Sequence, residues 1–245
     1  MSTYEFIADL SIPLKFGGPQ PSAFGVEAAA EKTLGDTREG SSVNFEQYSF
    51  IPHCNGTHTE CVGHITDERI SVRDCLRDVV MCAMLVSIEP EQDESGDQLI
   101  AEAALRNAIV QPPAIAGGSD SLIVRTLPND DSKHSRVYDS SNIPPYFTAE
   151  AMRYIVECGF KHLLVDLPSI DRIFDEGKLE NHRIFWNVEP GSRAIGPHTR
   201  LPSTVTELIY VPKEIEDGEY LLNLQIAPFE ADAAPSRPIL FRAVN

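Results

Sequence analysis

Eight consecutive apolar residues, Val79-Val80-Met81-Cys82-Ala83-Met84-Leu85-Val86, constrain this chain more than any other stretch. A strand with one solvated face alternates polar and apolar side chains, so a run without alternation calls for cover on both faces. It predicts a buried strand over 79–88. The run His162-Leu163-Leu164-Val165 has the same character and predicts a second buried strand over 161–166, which delivers Asp166-Leu167-Pro168-Ser169-Ile170-Asp171 to its C-terminal edge. Further strands are expected at 4–10, 43–51, 121–127, 205–210, 219–228 and 238–244, and helices at 71–77, 98–108, 148–158 and 180–186. Thr148 is placed to cap the third helix and Gly159 to end it, while Pro112-Pro113 bars continuation of the second. Segment 16–40 is rich in Gly, Pro and Ala and reads as an irregular excursion. Segment 128–145 is polar and Pro-rich, which suits a surface loop near a site. Strands dispersed among helices, with no repeat and no linker-like shift in composition, predict one α/β domain over residues 1–245.

The second constraint is chemical. Pro52-His53-Cys54-Asn55-Gly56-Thr57-His58-Thr59-Glu60-Cys61-Val62-Gly63-His64 carries three His, two Cys and one Glu in thirteen residues. In an extended segment His58 and Glu60 point to one face, and His64 can return to the same place after a turn. If the segment is extended, His53, one residue before Cys54, faces away from the side that Cys54 faces. Imidazole, thiolate and carboxylate are the donor set for zinc and its neighbours. Cys75 and Cys82, seven apart in an apolar, helix-like run, are expected in the core.

Charge excludes some functions. With 20 Lys+Arg against 37 Asp+Glu, the net charge of −17 leaves little for a basic patch, so neither nucleic acid nor an anionic membrane is an expected partner. No stretch approaches the roughly 18 apolar residues of a membrane span, and Met1-Ser2-Thr3-Tyr4-Glu5 lacks the features of a signal peptide. Five Cys, an odd number without a regular framework, favour reduced thiols. A cytoplasmic location is expected.

Four separated segments resemble the cyclase-like metal-dependent hydrolases, a family that includes bacterial kynurenine formamidase (arylformamidase) and isatin hydrolase. Residues 54–64 fall on the family motif H-x-G-T-H-x-D-x-P-x-H as C-x-G-T-H-x-E-x-V-x-H, with Gly56, Thr57, His58 and His64 matching. Asp9-Leu10-Ser11-Ile12-Pro13-Leu14 is similar to the family's D-L-S-x-P-L opening, and Asp166 to Asp171 to its D-T-P-S-x-D segment. His182 and Glu207 occupy the places of the late His and Glu ligands. The resemblance implies a swivelling β/β/α fold of mixed and antiparallel strands flanked by helices, and a homodimer or larger homo-oligomer. It implies a site of one or two zinc or manganese ions held by His58, Glu60, His182 and Glu207, with Cys54 as a possible further ligand and His64 as the acid–base residue. Gly56 and Thr57 would shape the turn, the Thr57 hydroxyl orienting either ligands or a substrate oxygen. The implied activity is hydrolysis of a small amide, formamide, lactam or cyclic ester, as in tryptophan catabolism.

The departures define the alternative. Cys54 stands where the family has His, Glu60 where it has Asp, and Val62 where it has Pro. A chain with these changes is either a hydrolase with an altered ligand set or a non-catalytic relative that keeps the fold and binds a small molecule or metal. The 24 residues between His182 and Glu207 include the loop 189–202 with His198, a surface residue, substitute ligand or lid residue. Asp166 and Asp171 are expected to brace their Pro-Ser turn, His162 to be structural, and Tyr146, Phe185 and Trp186 to be core residues or walls for a planar substrate.

Overall fold

In a computed structural model the described residues are 3–109 and 120–244. The Pro112-Pro113 stop and Met1-Ser2 lie outside them. Eight strands form the main sheet: β1 (Thr3–Asp9), β2 (His58–Glu60), β3 (Val80–Ile88), β4 (Ser121–Thr126), β5 (His162–Val165), β6 (Thr204–Glu207), β7 (Gly218–Ile226) and β8 (Ala233–Val244). Their order is β1-β8-β7-β3-β4-β5-β6-β2, and β2 also pairs with β8. Seven strands therefore close into a barrel. The β3-β4-β5-β6 pairs are parallel and the others antiparallel, which is the mixed sheet of the swivelling β/β/α class.

Strand β8 makes the closure possible. One of its edges carries β7, while the other pairs with β2 through Ala233, Ala234 and Pro235 and with β1 through residues 239–244. Side chains alternate about the closed sheet. Ile123 and Leu164 point inward with Leu85, Leu222, Leu224 and Leu240, whereas Leu122, Val124, Leu163 and Val165 join an outer core with Leu105, Met152, Ile155 and Trp186. Helices Glu102–Ala108, Ala149–Glu157 and Glu180–Trp186 cover that outer face. The Thr148 hydroxyl caps the middle helix by accepting from Ala151 N at 3.1 Å, and Gly159, at φ +85°, follows its end.

Several expectations change. The apolar run at 79–86 forms a strand, but Val79 and Val80 are 40% and 54% exposed. The parallel neighbour β4 begins its pairing only at Ala83, so the first residues project beyond the covered part of the sheet. Cys82 lies on this strand and Cys75 in a helical turn, so the two do not share a helix. The helix expected over 98–108 begins only at Glu102; Gln98–Ile100 is a short strand. The strand expected over 43–51 is Phe45–Ser49, and it pairs with Ala30–Gly35 in a separate ribbon within the segment thought irregular. Pro52–Asn55 is then a helical turn, so the motif is not entered in extended conformation. Strand β6 stops at Glu207 because Leu208 adopts φ +54°.

Loop 128–145 is anchored at Lys133, whose buried ammonium lies 2.7 Å from Asp166 Oδ2 and also donates to Thr126 O. Asp166 accepts as well from Thr126 N and Oγ1. It is a structural brace, as expected. His162 is buried against Thr204 Oγ1 at 2.8 Å, and burial pushes its pKa down to about 4.

The unfolded chain, with an imidazole pKa of about 6.5, binds more protons than the folded protein between these two values. Stability therefore falls as pH is lowered through that window. Urea unfolding should reveal a loss of about 3 kcal/mol between roughly pH 7 and pH 4 from this residue, absent in His162→Gln. Parallel stability curves for the two proteins would contradict this assignment.

Candidate metal centre

The centre lies on the outer face of β2 and β6, under helix Glu180–Trp186. In the antiparallel register His58 is opposite Glu207 and Glu60 is opposite Val205, so the period-two alternation turns His58, Glu60 and Glu207 to one side. Thr59 and Thr206 point the other way and share a hydrogen bond of 2.8 Å inside the barrel. The helix delivers His182 from above, and the four residues are all buried.

One carboxylate sets that helix and its imidazole together. Asp171 accepts from Asn181 N at 2.7 Å and His182 N at 3.3 Å, which satisfies backbone donors in the first turn, and its Oδ2 lies 2.6 Å from His182 Nδ1. Asp171 is itself fixed by the Pro-Ser turn, its N–H donating to Ser169 Oγ at 3.1 Å. With Nδ1 held, His182 Nε2 faces Glu60 Oε1 at 2.9 Å and Glu207 Oε1 at 3.8 Å. Glu207 Oε1 also accepts from Ile170 N at 3.0 Å. Asp171 braces the turn, as its place beside Pro168-Ser169 predicts, and also orients the His182 imidazole.

His53 is the main correction. Because residues 52–55 form a helical turn, its ring enters the site rather than facing away. His53 Nδ1 is 2.9 Å from Glu60 Oε2, and His53 Nε2 is 2.9 Å from Asp232 Oδ2. Asp232 also approaches His64 Nδ1 at 3.5 Å, and the rings of His53 and His64 stack with centroids 4.2 Å apart. Asp232 had no sequence signal. It sits one residue before β8, and only the pairing of β8 with β2 brings it to the motif.

His64 Nε2 lies 3.9 Å from Glu60 Oε2, at the edge of the cluster, with 29% of the side chain exposed. Cys54 is buried and borders the same cavity; burial, with the Glu207 charge behind it, pushes its thiol up to about 11. Thr57 holds the turn: its hydroxyl accepts from Ile12 N at 2.8 Å and donates to Leu208 O. A Cβ at Gly56 would lie 3.1 Å from Leu14 Cδ2, so a side chain there would crowd the same join. Phe185 and Trp186 are core residues, Tyr146 donates to Asp97, and His198 is exposed on its loop.

The donor set suits a divalent cation. His58 Nδ1 faces the Gly56 carbonyl at 3.0 Å, so that nitrogen carries the proton. Its Nε2 is then a buried lone pair without a hydrogen bond, 3.5 Å from Glu207 Oε2. Two acceptors facing each other in the interior call for a shared positive charge. Donor atoms of His53, His58 and Glu60 lie within 4.8 Å of one another, as do those of Glu60, His182 and Glu207 and those of His53, His64 and Asp232. Cys54 belongs to none of these groups among the described residues.

Without a cation, protons balance the charge. Burial alone would raise the Glu60 pKa, but His64 and His182, with hydrogen bonds from His182 and His53, hold it well below the usual carboxylate range. Burial would likewise lower both imidazoles. Hydrogen bonds to Asp232 and Glu60 instead lift His53 to about 10, and the Glu60 charge with the bond to Asp171 raises His182.

A divalent cation entering the cluster must displace such protons. Titration calorimetry with zinc near pH 7, in buffers of different ionisation enthalpy, should register proton release, with affinity rising as pH rises. Binding that releases no protons and is indifferent to pH would contradict this charge balance.

The comparisons with known proteins agree with this architecture. Residues 8–172 match a family described as putative cyclase. The chain is 26% identical over 246 residues to a kynurenine formamidase from Bacillus cereus, spanning 98% of this chain and 99% of the relative. A kynurenine formamidase from Bacillus anthracis is 24% identical over 248 residues, with the same coverage. Among solved structures, isatin hydrolase A from Labrenzia aggregata superposes with a TM-score of 0.68 at 13% identity, covering 98% of this chain and 94% of that one. A structure described as a predicted metal-dependent hydrolase from Bacillus stearothermophilus gives 0.66 at 16% identity, covering 98% of both chains. With two thirds of its length on the family pattern, this chain belongs to the putative cyclase family.

Proposed function

We propose that this protein is a metal-dependent hydrolase that cleaves the C–N bond of a small amide, formamide or lactam, or opens a cyclic ester. The observation that carries the reading is the buried cluster in which Glu60, His182 and Glu207 line a cavity of about 500 Å³ and His58 lies behind them, 3.5 Å from Glu207. His58, Glu60, His182 and Glu207 would hold one or two ions, zinc or manganese. A divalent cation there supplies Lewis acidity that polarises a carbonyl and makes water a stronger acid.

The remaining work falls to the chain. His64 borders the cavity with Nδ1 facing Asp232 and Nε2 3.9 Å from Glu60 Oε2, on the side of the proposed cation site. Through Nε2 it accepts a proton from water and returns it to the departing nitrogen of an amide or oxygen of an ester, the general acid–base role that imidazole most often fills. Hydrogen bonds from His53 and His64 hold Asp232 well below the usual carboxylate range, so it remains an anion that steadies the imidazolium. Pro168, Ile173, Phe174, Leu179 and Phe24 give the cavity apolar walls. They fit a flat, largely apolar acyl or aryl group and exclude water from its faces.

Kynurenine formamidase relatives of nearly equal length support an arylformamide, as in tryptophan catabolism, as the first substrate to try. Five free cysteines suit a reducing cytoplasm. The exposed apolar residues Leu34, Phe45 and Tyr48 on the ribbon support assembly into a homodimer or larger homo-oligomer, each chain acting as one domain.

The zinc- or manganese-loaded protein should hydrolyse at least one member of a panel of N-formylkynurenine, isatin and other cyclic amides. His64→Ala should lower kcat by about 10²–10⁴-fold while retaining bound metal. No turnover across the panel, or full turnover in His64→Ala, would contradict the proposal.

A further inference from the structure

The family motif opens with a histidine, and this chain has Cys54 at that position. Its neighbour His53 is built into the site more completely. The helical turn Pro52–Asn55 carries the His53 ring toward that of His58, the centroids being 5.3 Å apart and the planes at 71°. His53 Nδ1 lies 2.9 Å from Glu60 Oε2, and the donor atoms of His53, His58 and Glu60 form a group within 4.8 Å.

The surroundings of His53 repeat those of His182. His182 places Nδ1 on Asp171 at 2.6 Å and Nε2 on Glu60 Oε1 at 2.9 Å; His53 places Nε2 on Asp232 at 2.9 Å and Nδ1 on Glu60 Oε2 at 2.9 Å. Each imidazole has one nitrogen fixed by an outer carboxylate and the other aimed at the same central carboxylate. A histidine that ligates a metal characteristically donates its second N–H to such an outer carboxylate, which fixes the tautomer and the ring orientation. Nothing comparable surrounds Cys54, which has no partner in any of the donor groups among the described residues.

We propose that His53, through Nδ1, takes over the ligand position that Cys54 has vacated, joining His58 Nε2 and Glu60 Oε2, with Asp232 as the carboxylate that fixes the His53 tautomer. The substitution in the motif is thus compensated one residue upstream, and the ligand set remains imidazole and carboxylate without thiolate. This assignment rests on the hydrolase reading above. It explains why a family member can lose the first histidine of its motif and still keep the charge balance around Glu60.

Cobalt(II) added to metal-free protein tests it with a spectroscopic readout. Wild-type protein should show the weak visible bands of bound cobalt without the intense near-ultraviolet band of a thiolate-to-cobalt bond. Cys54→Ser should leave spectrum and affinity unchanged. His53→Gln should bind cobalt at least about tenfold more weakly, and Asp232→Asn should weaken it about 10–100-fold. A thiolate band in the wild type that Cys54→Ser abolishes would overturn the assignment, and needs no folded His53 variant to be seen. A folded His53→Gln protein with wild-type affinity would overturn it too. Absence of any cobalt binding by the wild type would instead overturn the hydrolase reading on which the assignment stands.

Discussion

Glu60 is buried at the centre of a five-member chain of charges, Asp171–His182–Glu60–His53–Asp232, in which every link is 2.9 Å or shorter. An ionised carboxylate out of water costs several kcal/mol unless it is paired and hydrogen-bonded, and each of the two Glu60 oxygens is met by an imidazole. Those imidazoles are held by carboxylates from distant parts of the chain. Asp171 comes from the turn after β5 and Asp232 from the approach to β8. The site is therefore a product of barrel closure: if β8 did not pair with β2, Asp232 would not reach His53 or His64.

The same arrangement explains the local backbone. Asp171 both satisfies the first N–H groups of helix Glu180–Trp186 and holds the His182 ring, so a helix start and the orientation of a buried imidazole share one side chain. Thr57 ties the motif to Ile12 and Leu208, joining the segment after β1 to the end of β6. These ties leave the site face of β2 little freedom. Function and packing are inseparable here because the outer core reaches the edge of the cluster: Trp186 is fully buried and its ring lies 5.3 Å from that of His182.

Much of this was legible in the sequence because it is local. Alternation within three residues puts His58 and Glu60 on one face, Thr148 and Gly159 bound a helix, and His182 falls within the helix expected at 180–186. The parts that were not legible depend on contacts far apart in the chain or on one dihedral choice. His53 points inward because residues 52–55 turn rather than extend; Pro52 at the first helical position favours that turn, a signal that four residues alone leave weak. Asp232 lies 179 residues from His53 and carries no motif. Leu208 ends a strand that its apolar neighbours would have continued, through a left-handed conformation rare for a leucine. The apolar run at 79–86 signalled a strand correctly but overstated its burial, since cover depends on where the neighbouring strand begins.

The central claim is that Glu60 is the shared anchor of a cation site and not merely a buried ion-pair partner. Elemental analysis of untreated protein, wild type beside Glu60→Gln, tests it most directly. Glutamine keeps the size and planar shape of the side chain, removes the charge and turns one of its two acceptors into a donor. The account predicts near-stoichiometric zinc or manganese in the wild type and its loss from a folded Glu60→Gln protein. A metal-free wild type that cannot be reloaded, or a Glu60→Gln protein retaining the full complement, would contradict it.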